Sequence, residues 1–238
     1  MSEKFYNLER VKLRRRTFSQ LKSDILFEKL FFDLIRKNLC HGQTVLDIGT
    51  GNGYVLKELD LRFPELEVSL VGLDKSTAMI EEARTLCPRG NFYVGDNFDL
   101  PFLDNQFDLV TAKNVTRFSP DEVYRVINSG GAFILREYGK GKGLVEIADM
   151  FSSRLIRSRD PNFYLRTLQR AGFIEVSLQQ YKFLRKYSLH NLLAILESFP
   201  FIKGYSKRDV DRICKKYSSE GNIMITSDPI IVTARKNE

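Results

Sequence analysis

A short apolar run that leads directly into three alternate glycines constrains the fold of this chain more than any other feature. The segment reads Val45-Leu46-Asp47-Ile48-Gly49-Thr50-Gly51-Asn52-Gly53-Tyr54. Its apolar part predicts a buried strand over 44–48, of the kind that parallel sheets cover on both faces. Glycine tolerates positive φ and, because it lacks a Cβ, lets a ligand approach the backbone closely. The segment therefore predicts a ligand-binding turn at the carboxyl end of a strand, where open parallel sheets bind their ligands.

The residues after this turn alternate between strand and helix patterns. The pattern predicts strands at 44–48, 67–73, 91–95, 107–112 and 131–137, and helices near 53–62, 76–86 and 120–128. Repeated alternation of this kind indicates an α/β fold with a doubly wound, mostly parallel sheet. Further along, the sequence predicts helices near 144–157 and 161–171, one long strand at 173–187 and a last strand at 229–235.

Composition and cysteine spacing exclude several classes of protein. No apolar run approaches the roughly 20 residues that a membrane-spanning helix needs, and the polar start of the chain lacks the apolar core of a secretory signal. The cysteines, Cys40, Cys87 and Cys214, are widely separated and show no metal-binding or disulfide spacing. We therefore expect a cytoplasmic protein with no membrane span and no metal site.

The glycine turn itself separates two kinds of ligand. A dinucleotide-binding loop has the pattern G-x-G-x-x-G, but Tyr54 stands where its third glycine belongs, and the phosphate-binding pattern G-x-x-x-x-G-K-[ST] is missing. Asp47 lies beside the turn, and a carboxylate there suits a ligand with an ammonium group better than a pyrophosphate. These residues argue against NAD and against a nucleoside triphosphate.

Two further carboxylates follow the second and third predicted strands. Asp74 lies roughly 20 residues past the turn, where such folds place a carboxylate that accepts both ribose hydroxyls; the alternative is a cap for the next helix. Asp96 follows the third strand and could accept a hydrogen bond from an adenine amino group, or be an ordinary turn aspartate. Together with the turn, they favour a ligand that contains adenosine.

These residues resemble the class I S-adenosylmethionine-dependent methyltransferases. The resemblance also includes the segments Gly95–Phe102, Phe107–Val110 and Gly130-Gly131, and it covers about residues 40–137. It implies a seven-stranded sheet of order 3-2-1-4-5-7-6 with an antiparallel last strand, and it implies S-adenosyl-L-methionine as cofactor with S-adenosyl-L-homocysteine as product.

The resemblance also implies which residues bind the cofactor. The glycines would shape the wall beneath methionine and ribose, Asp47 would hold the ammonium, and Asp74 the ribose. The Asn97 backbone would lie against the adenine ring, and Lys75 stands where relatives have an apolar residue that packs on it, so its alkyl stem could substitute. The predicted cofactor-binding set is Asp47, Gly49, Thr50, Gly51, Gly53, Asp74, Lys75, Asp96, Asn97, Lys113 and Asn114, with the last two lining the methionine end.

Residues for the methyl acceptor are predicted at the end of the fifth strand. Glu137 or Tyr138 would orient or deprotonate the acceptor, and Arg136 would hold an anionic one; the alternative is a charged strand end without a catalytic role. Only two histidines are present. His41 precedes the first strand and His190 starts a helical segment, so a surface role is favoured for the first and a helix-start role for the second.

The domain prediction is a single methyltransferase domain over residues 1–238. Residues 1–43 would form an N-terminal helical lid with helices near 8–16 and 19–39, and 44–187 with 221–238 would form the Rossmann-like core. A helical insertion at 188–220, hinged at Pro200 and Gly204, would have an apolar inner face and roof the acceptor pocket.

The leading functional hypothesis is methyl transfer to a small or medium-sized metabolite, mainly by positioning. Basic flanks leave a second hypothesis, an RNA methyltransferase: residues 1–43 carry ten Lys/Arg against five Asp/Glu, and 180–238 carry eleven against six. Binding of nucleic acid through such flanks falls steeply with salt. A third hypothesis is a non-catalytic protein that binds S-adenosylmethionine.

Overall fold

The computed structural model describes residues 25–156, 160–199 and 201–238. The predicted helix at 8–16, the first residues of the helix predicted at 19–39, and Pro200 lie outside these ranges. The chain divides into two compact units. We call Phe27–Glu137, Pro161–Gln179 and Ile230–Glu238 the sheet unit, and we call the unit that contains Tyr138–Asp160 and Gln180–Pro229 the second unit. The single-domain organisation and its boundaries stay a prediction.

The described helices and strands follow the predicted alternation. The helices are α1 (Ile25–Lys37), α2 (Tyr54–Arg62), α3 (Thr77–Leu86), α4 (Pro120–Val126), α5 (Val145–Met150), α6 (Asn162–Arg170), α7 (Leu189–Ser198) and α8 (Lys207–Tyr217). The strands are β1 (Thr44–Ile48), β2 (Ser69–Asp74), β3 (Asn91–Val94), β4 (Phe107–Lys113), β5 (Ile127–Tyr138), β6 (Ile174–Gln180), β7 (Phe183–Tyr187), β8 (Ile223–Ser227) and β9 (Pro229–Arg235). The bounds of two predicted elements need correction, besides the strand predicted at 173–187 that is described below. β5 begins four residues earlier than predicted, and α5 ends at Met150, before a 3-10 turn at Ser152–Arg154.

The seven-stranded sheet has the order β3-β2-β1-β4-β5-β9-β6. Because β9 is the seventh strand of this sheet along the chain, this is the predicted order 3-2-1-4-5-7-6. Strands β3, β2, β1, β4 and β5 pair in parallel. The last strand is antiparallel to β5, since Gly130 N–H donates to the Asn237 carbonyl and Gly139 N–H to the Asp228 carbonyl. The predicted fold class is confirmed.

The core of the sheet unit explains why β1 is apolar on both faces. Val45, Leu46 and Ile48 are fully buried. Leu46 and Ile48 pack in one cluster with residues of β4, β5 and β9, among them Val110, Phe133 and Ile230. Burial on both faces fixes the strand, so the turn that follows it starts from a rigid position.

The single strand predicted at 173–187 is wrong, because the structure has two strands there. Ile174–Gln180 belongs to the seven-stranded sheet, whereas Phe183–Tyr187 pairs antiparallel with β8 in a separate two-stranded sheet. Between them, Tyr181 N–H donates to the Pro229 carbonyl, 2.9 Å away. Both strands contain alternating apolar residues, so the sequence pattern is continuous across the point where the chain leaves one sheet for the other.

The second unit has an apolar core of its own. Helices α5, α7 and α8 pack with β7 and β8, and the buried residues include Ile147, Tyr187, Leu192, Ile195, Ile213 and Ile225. The helices predicted in 188–220 are present as α7 and α8. The strands on either side of that segment belong to the same unit, so the apolar face predicted for the insertion packs against β7, β8 and α5.

A glycine-rich turn follows β5 and is held by one carboxylate. Asp228 accepts hydrogen bonds from the Gly141 and Gly143 N–H groups, each 2.7 Å long. A Cβ on Gly139 would lie 2.6 Å from the Asp228 carboxylate, so a side chain at that position would displace it. The turn therefore fixes how the chain leaves the end of β5.

One structural observation bears on membranes. Across the described ranges, no helix combines the length and the apolar composition that crossing a bilayer requires.

Candidate functional site

The predicted glycine turn forms between β1 and α2 with all of its glycines at positive φ. The φ angles of Gly49, Gly51 and Gly53 are 60°, 56° and 76°. A Cβ on Gly49 would lie 2.6 Å from Val115 Cγ2, whereas one on Gly51 would meet no atom of the described residues within 4 Å. Gly49 is therefore required by packing, and Gly51 presents bare backbone to open space, which suits close approach of a ligand.

Asp47 lies just before the turn and is almost fully buried, with 1% of its surface exposed. Its carboxylate accepts a 2.7 Å hydrogen bond from the Thr111 hydroxyl on β4. Burial raises the pKa of Asp47 to about 6, while the hydrogen bond from Thr111 and the positive charge of Lys113 act in the opposite direction. A charged Asp47 is therefore costly unless a positive group joins it.

Asp74 ends β2 and is tied to the glycine turn. Its Oδ2 accepts from the Gly51 N–H at 2.8 Å, and its Oδ1 accepts from the Ser76 N–H at 2.9 Å. Burial raises the pKa of Asp74, and these backbone hydrogen bonds oppose the rise. The structure gives the capping role to Ser76, whose hydroxyl accepts from Met79 N–H at the start of α3. The carboxylate is thus not the helix cap.

Asp96, Lys75 and Asn97 lie together at the ends of β2 and β3. Lys75 Nζ is 2.8 Å from Asp96 Oδ2, and 69% of the Lys75 side chain is exposed. The Lys75 hydrogen bond holds the pKa of Asp96 below its ordinary value. Asp96 also accepts from the Phe98 N–H, and the Asn97 carbonyl accepts from the Ser119 N–H. Asp96 therefore makes both a hydrogen bond within its own turn and an ion pair with Lys75.

Lys113 and Asn114 lie at the carboxyl end of β4. Lys113 Nζ is 4.0 Å from the centre of the Tyr54 ring and 3.4 Å from Glu28 Oε1. Burial and the nearby Arg136 lower the pKa of Lys113 to about 8, although Glu28 opposes this. Asn114 has φ 61° and accepts a 2.8 Å hydrogen bond from Arg136 Nη1.

Glu28 and Tyr54 contact Lys113, and the sequence analysis did not assign either of them to the site. The Tyr54 hydroxyl donates to Glu28, which belongs to α1. Burial acts to raise the pKa of Glu28, but Lys113, the Tyr54 hydrogen bond and Arg136 together hold it below its ordinary value. A sequence signal exists: Glu28 is three and seven residues from the buried Phe31 and Ile35, so it interrupts the apolar face of a helix.

The predicted acceptor residues do not share one environment. Arg136 and Glu137 are each 3% exposed. As neighbours on a strand their side chains point to opposite faces of the sheet. The Arg136 guanidinium is 5.1 Å from the centre of the Phe27 ring and donates to Asn114. Arg136 therefore lies beside Asn114 and Lys113, while its catalytic role and that of Glu137 stay predictions.

Tyr138 belongs to the second unit. Its hydroxyl accepts a hydrogen bond from Arg185 Nη2, 3.3 Å away, and the Arg185 guanidinium is 5.7 Å from the centre of its ring. Arg185, which the sequence analysis did not assign, is 2% exposed. His41 is 68% exposed beside Glu67, and His190 is exposed at the start of α7.

Comparison with known proteins finds relatives of the segment that contains the glycine turn. Residues 45–131 match the protein-family model described as a methyltransferase domain. The ubiquinone/menaquinone biosynthesis C-methyltransferase UbiE of Dinoroseobacter shibae is 35% identical over 127 residues, which cover 48% of this chain and 50% of the relative. Malonyl-[acyl-carrier protein] O-methyltransferase 1 of Coxiella burnetii is 34% identical over 124 residues, covering 49% of this chain and 39% of the relative. The chain thus spans half or less of the length of these curated relatives.

A solved structure extends the likeness in fold. Phosphoethanolamine N-methyltransferase 2 of Haemonchus contortus, in complex with S-adenosyl-L-methionine, superimposes with a TM-score of 0.57 at 19% identity. The match covers 88% of this chain and 53% of that one. The family match falls on the segment that contains the glycine turn, Asp74 and Lys113. Residues 45–131 of the chain therefore match a methyltransferase domain, and the order of the sheet is the one that the resemblance to class I S-adenosylmethionine-dependent methyltransferases implied.

Proposed function

We propose that the chain is an S-adenosylmethionine-dependent methyltransferase that acts on a small or medium-sized metabolite. The observation that carries the proposal is the hydrogen bond from the Gly51 N–H to Asp74 Oδ2, at a point where the turn faces open space. Asp74 lies beside this backbone at the carboxyl edge of a parallel sheet, which supports the proposal that it accepts from a ribose.

The charges of the residues present suit the cofactor. Asp74 would accept from the ribose hydroxyls with the lone pairs that its backbone hydrogen bonds leave free. Asp47, whose burial disfavours a lone negative charge, would be compensated by the ammonium of the methionine part. At the far end, Asp96 and the Lys75 stem would lie beside the adenine. The cofactor supplies an electrophilic methyl group on a sulfonium.

The contribution of the protein is to hold the two reactants and to exclude water. Bringing them together in the right orientation can supply about 7–11 kcal/mol of the barrier. The buried strand ends of β1 and β4 give the turn and Lys113 fixed positions, which this kind of catalysis requires. No general base is needed unless the acceptor must lose a proton of high pKa.

The acceptor class is proposed from the relatives and from the chain's own polar residues. One relative is named for C-methylation in ubiquinone and menaquinone biosynthesis and the other for O-methylation of malonyl-[acyl-carrier protein], and neither name refers to nucleic acid. In this chain, Glu137 and Tyr138 end β5, the strand beside β4 in the sheet. We propose that one of them orients or deprotonates the acceptor, and that Arg136 favours acceptors with negative charge.

The test is transfer of labelled methyl groups to fractions of a lysate. The protein is incubated with methyl-labelled S-adenosylmethionine and with either the low-molecular-weight fraction or the RNA fraction. We expect transfer of the labelled methyl group to an acceptor in the low-molecular-weight fraction, and we expect Asp74→Asn to abolish this transfer. Label in the RNA fraction would support an RNA methyltransferase, and binding of S-adenosylmethionine without transfer to either fraction would support a non-catalytic binding protein.

A further inference from the structure

Helix α8 of the second unit exposes a side that consists mostly of cations. Six of its residues are exposed, and five of these are Lys207, Arg208, Arg212, Lys215 and Lys216. The sixth is Asp211. The opposite side is buried, with Ile213 and Tyr217 in the apolar core of the second unit. Packing therefore fixes which residues of α8 face outward.

The exposed residues form two rows along the helix, because residues four positions apart lie on nearly the same side. One row, which we call the cation row, consists of Arg208, Arg212 and Lys216. Its successive members are about 6 Å apart along the helix axis. The other row consists of Lys207, Asp211 and Lys215. The second row thus contains its own counter-charge, whereas the cation row contains positive charge alone.

The charges of the cation row do not stabilise the helix that carries them. Like charges four residues apart repel one another and destabilise a helix. Among the described residues, α8 forms one ion pair, between Asp209 and Arg154, and Asp209 lies on the buried side. The cation row therefore forms no ion pair with the described part of the chain. An anionic partner would relieve the repulsion within the row.

Two members of the cation row are held in place by aromatic rings. The Arg212 guanidinium is 5.2 Å from the centre of the Phe151 ring, and Lys216 Nζ is 5.2 Å from the centre of the Tyr217 ring. Both rings are buried. Side chains that are already ordered lose less conformational freedom when they bind. The cation row is therefore preorganised for contact with an anionic surface.

The composition of the exposed side separates the classes of anionic partner. Helices that lie on a bilayer insert apolar side chains, and proteins that bind single-stranded nucleic acid stack aromatic side chains on the bases. The exposed residues of α8 include neither type. The phosphates of a duplex would lie beside Asp211 and be repelled by it. In a protein partner, carboxylates can face the cation row while a cation faces Asp211.

We propose that the cation row of α8 docks an acidic helix of a protein partner, whose carboxylates recur at every fourth residue and face Arg208, Arg212 and Lys216. A helix suits this surface because its side chains repeat with the same spacing as the row. The two arginines suit carboxylates, since a guanidinium can donate two parallel hydrogen bonds to one carboxylate. This docking surface belongs to the second unit and is independent of the proposed cofactor site.

Three labelled probes test this surface by fluorescence anisotropy with the full chain. The first is an alanine-rich peptide of about 20 residues, long enough to form a helix on its own, with glutamate at every fourth position. The second peptide has the same composition, but its glutamates are distributed around the helix. The third probe is an RNA duplex of about 20 base pairs, which presents phosphates in place of carboxylates.

Two double variants with the same change in net charge serve as test and control. The test variant is Arg208→Gln with Lys216→Gln, which leaves one cation in the row. The control is Lys182→Gln with Lys186→Gln, because both lysines are exposed in the second unit but lie at β7. A loss of long-range attraction affects both variants alike, whereas loss of contact at the row affects only the first.

We expect the wild type to bind the peptide with the row of glutamates more tightly than the peptide with distributed glutamates or the RNA duplex. The test variant should bind the first peptide about 3- to 25-fold more weakly, which is the range of two exposed ion pairs. The control variant should change this affinity by less than about twofold. Binding of S-adenosylhomocysteine should be the same in all three proteins, because neither variant alters the proposed cofactor site.

Three results would overturn the inference. The wild type could bind neither peptide or both equally well, the two double variants could weaken binding to the same extent, or the RNA duplex could bind more tightly than the first peptide. The second result would reduce the effect to net charge, and the third would make the surface a nucleic-acid site. If the test variant shows no cooperative thermal unfolding, Arg208→Gln alone takes its place, with an expected loss of about two- to fivefold.

Discussion

Asp74 Oδ2 accepts a 2.8 Å hydrogen bond from the Gly51 N–H, which ties the end of β2 to the glycine turn after β1. The two residues are 23 positions apart in the chain, and the parallel register of β1 and β2 brings them to the same edge of the sheet. The same carboxylate that we propose for the ribose therefore also shapes the turn beneath it.

Replacing this carboxylate should reduce ligand binding far more than stability. Asp74→Asn loses a charged acceptor for the ribose and for the Gly51 N–H, so we expect S-adenosylhomocysteine to bind about 10- to 100-fold more weakly. The cap of α3 belongs to Ser76, so the melting temperature should stay close to that of the wild type. Calorimetry with Asp33→Asn as control checks this, because Asp33 is an exposed partner of Lys29 on α1. Equal binding by both variants would be evidence against the ribose role.

Two glycines with the same backbone strain should respond differently to alanine. Gly42 and Gly51 both have positive φ, and within the part of the chain that the structure describes a Cβ on either would meet no atom within 4 Å. Each alanine should therefore cost a similar free energy of unfolding, about 1–2 kcal/mol. Gly51→Ala should also impair binding of S-adenosylhomocysteine, whereas Gly42→Ala should not. Unfolding by urea and calorimetry measure the two effects, and unimpaired binding by Gly51→Ala would argue against close ligand approach at the turn.

Asp47 should make the protein less stable as the pH rises. Burial raises its pKa in the folded state to about 6, above the unfolded value. Between roughly pH 4 and 6 the folded state then binds more protons than the unfolded state, so the free energy of unfolding falls as the pH increases through this window. Asp47→Asn removes this loss, and we expect it to be more stable than the wild type at pH 7 by at most about 3 kcal/mol.

The same substitution should weaken ligand binding, because a neutral amide cannot compensate the ammonium. Urea unfolding at pH 4 and pH 7 gives the stability difference, and calorimetry at pH 7 gives the affinity. If Asp47→Asn is less stable than the wild type at pH 7, the claim that the buried charge of Asp47 destabilises the folded state is contradicted.

The second unit contains a carboxylate, Asp209, whose pKa is shifted in the opposite direction to that of Asp47. Asp209 forms a capping box with Ser206 at the start of α8, and Arg154 donates to it. The Arg154 hydrogen bond holds the pKa of Asp209 below its ordinary value. Its contribution to stability is therefore present above the unfolded pKa and is lost as the pH falls through the lowered folded pKa.

Asp209→Asn should reduce the free energy of unfolding by about 1 kcal/mol at pH 7, and the difference from the wild type should shrink toward pH 2. Urea unfolding followed by circular dichroism measures both. Asp211→Asn, on the exposed side of the same helix, is the control and should have no effect at either pH. A difference between Asp209→Asn and the wild type that is constant with pH would exclude an ionic contribution.

The sequence was sufficient for the sheet and for the part of the site that follows directly from it. In a parallel sheet, the end of each strand reaches the same edge, so the strand pattern predicted that Gly51 and Asp74 lie together, whereas the position of Lys113 was implied by the family resemblance. The spacing of the three glycines predicted the turn that faces a ligand. These features depend on local sequence and on a topology with few alternatives.

The contacts that the sequence did not predict are between elements far apart in the chain. Glu28 meets Lys113 across 85 positions, and Thr111 meets Asp47 across 64. Hydrogen bonds of this kind depend on how a helix rotates and how two strands register, which residue types do not specify. The break between β6 and β7 was hidden for a related reason: both strands are equally suited to a sheet, and only tertiary packing decides which one each joins.

The most direct test of the central claim is titration of the wild-type protein with S-adenosylhomocysteine in a calorimeter, with NAD as the comparison ligand. The glycine turn and Asp74 predict saturable binding of one S-adenosylhomocysteine per chain and no heat with NAD. Absence of any heat or thermal shift with S-adenosylhomocysteine, in protein that unfolds cooperatively, would contradict the account.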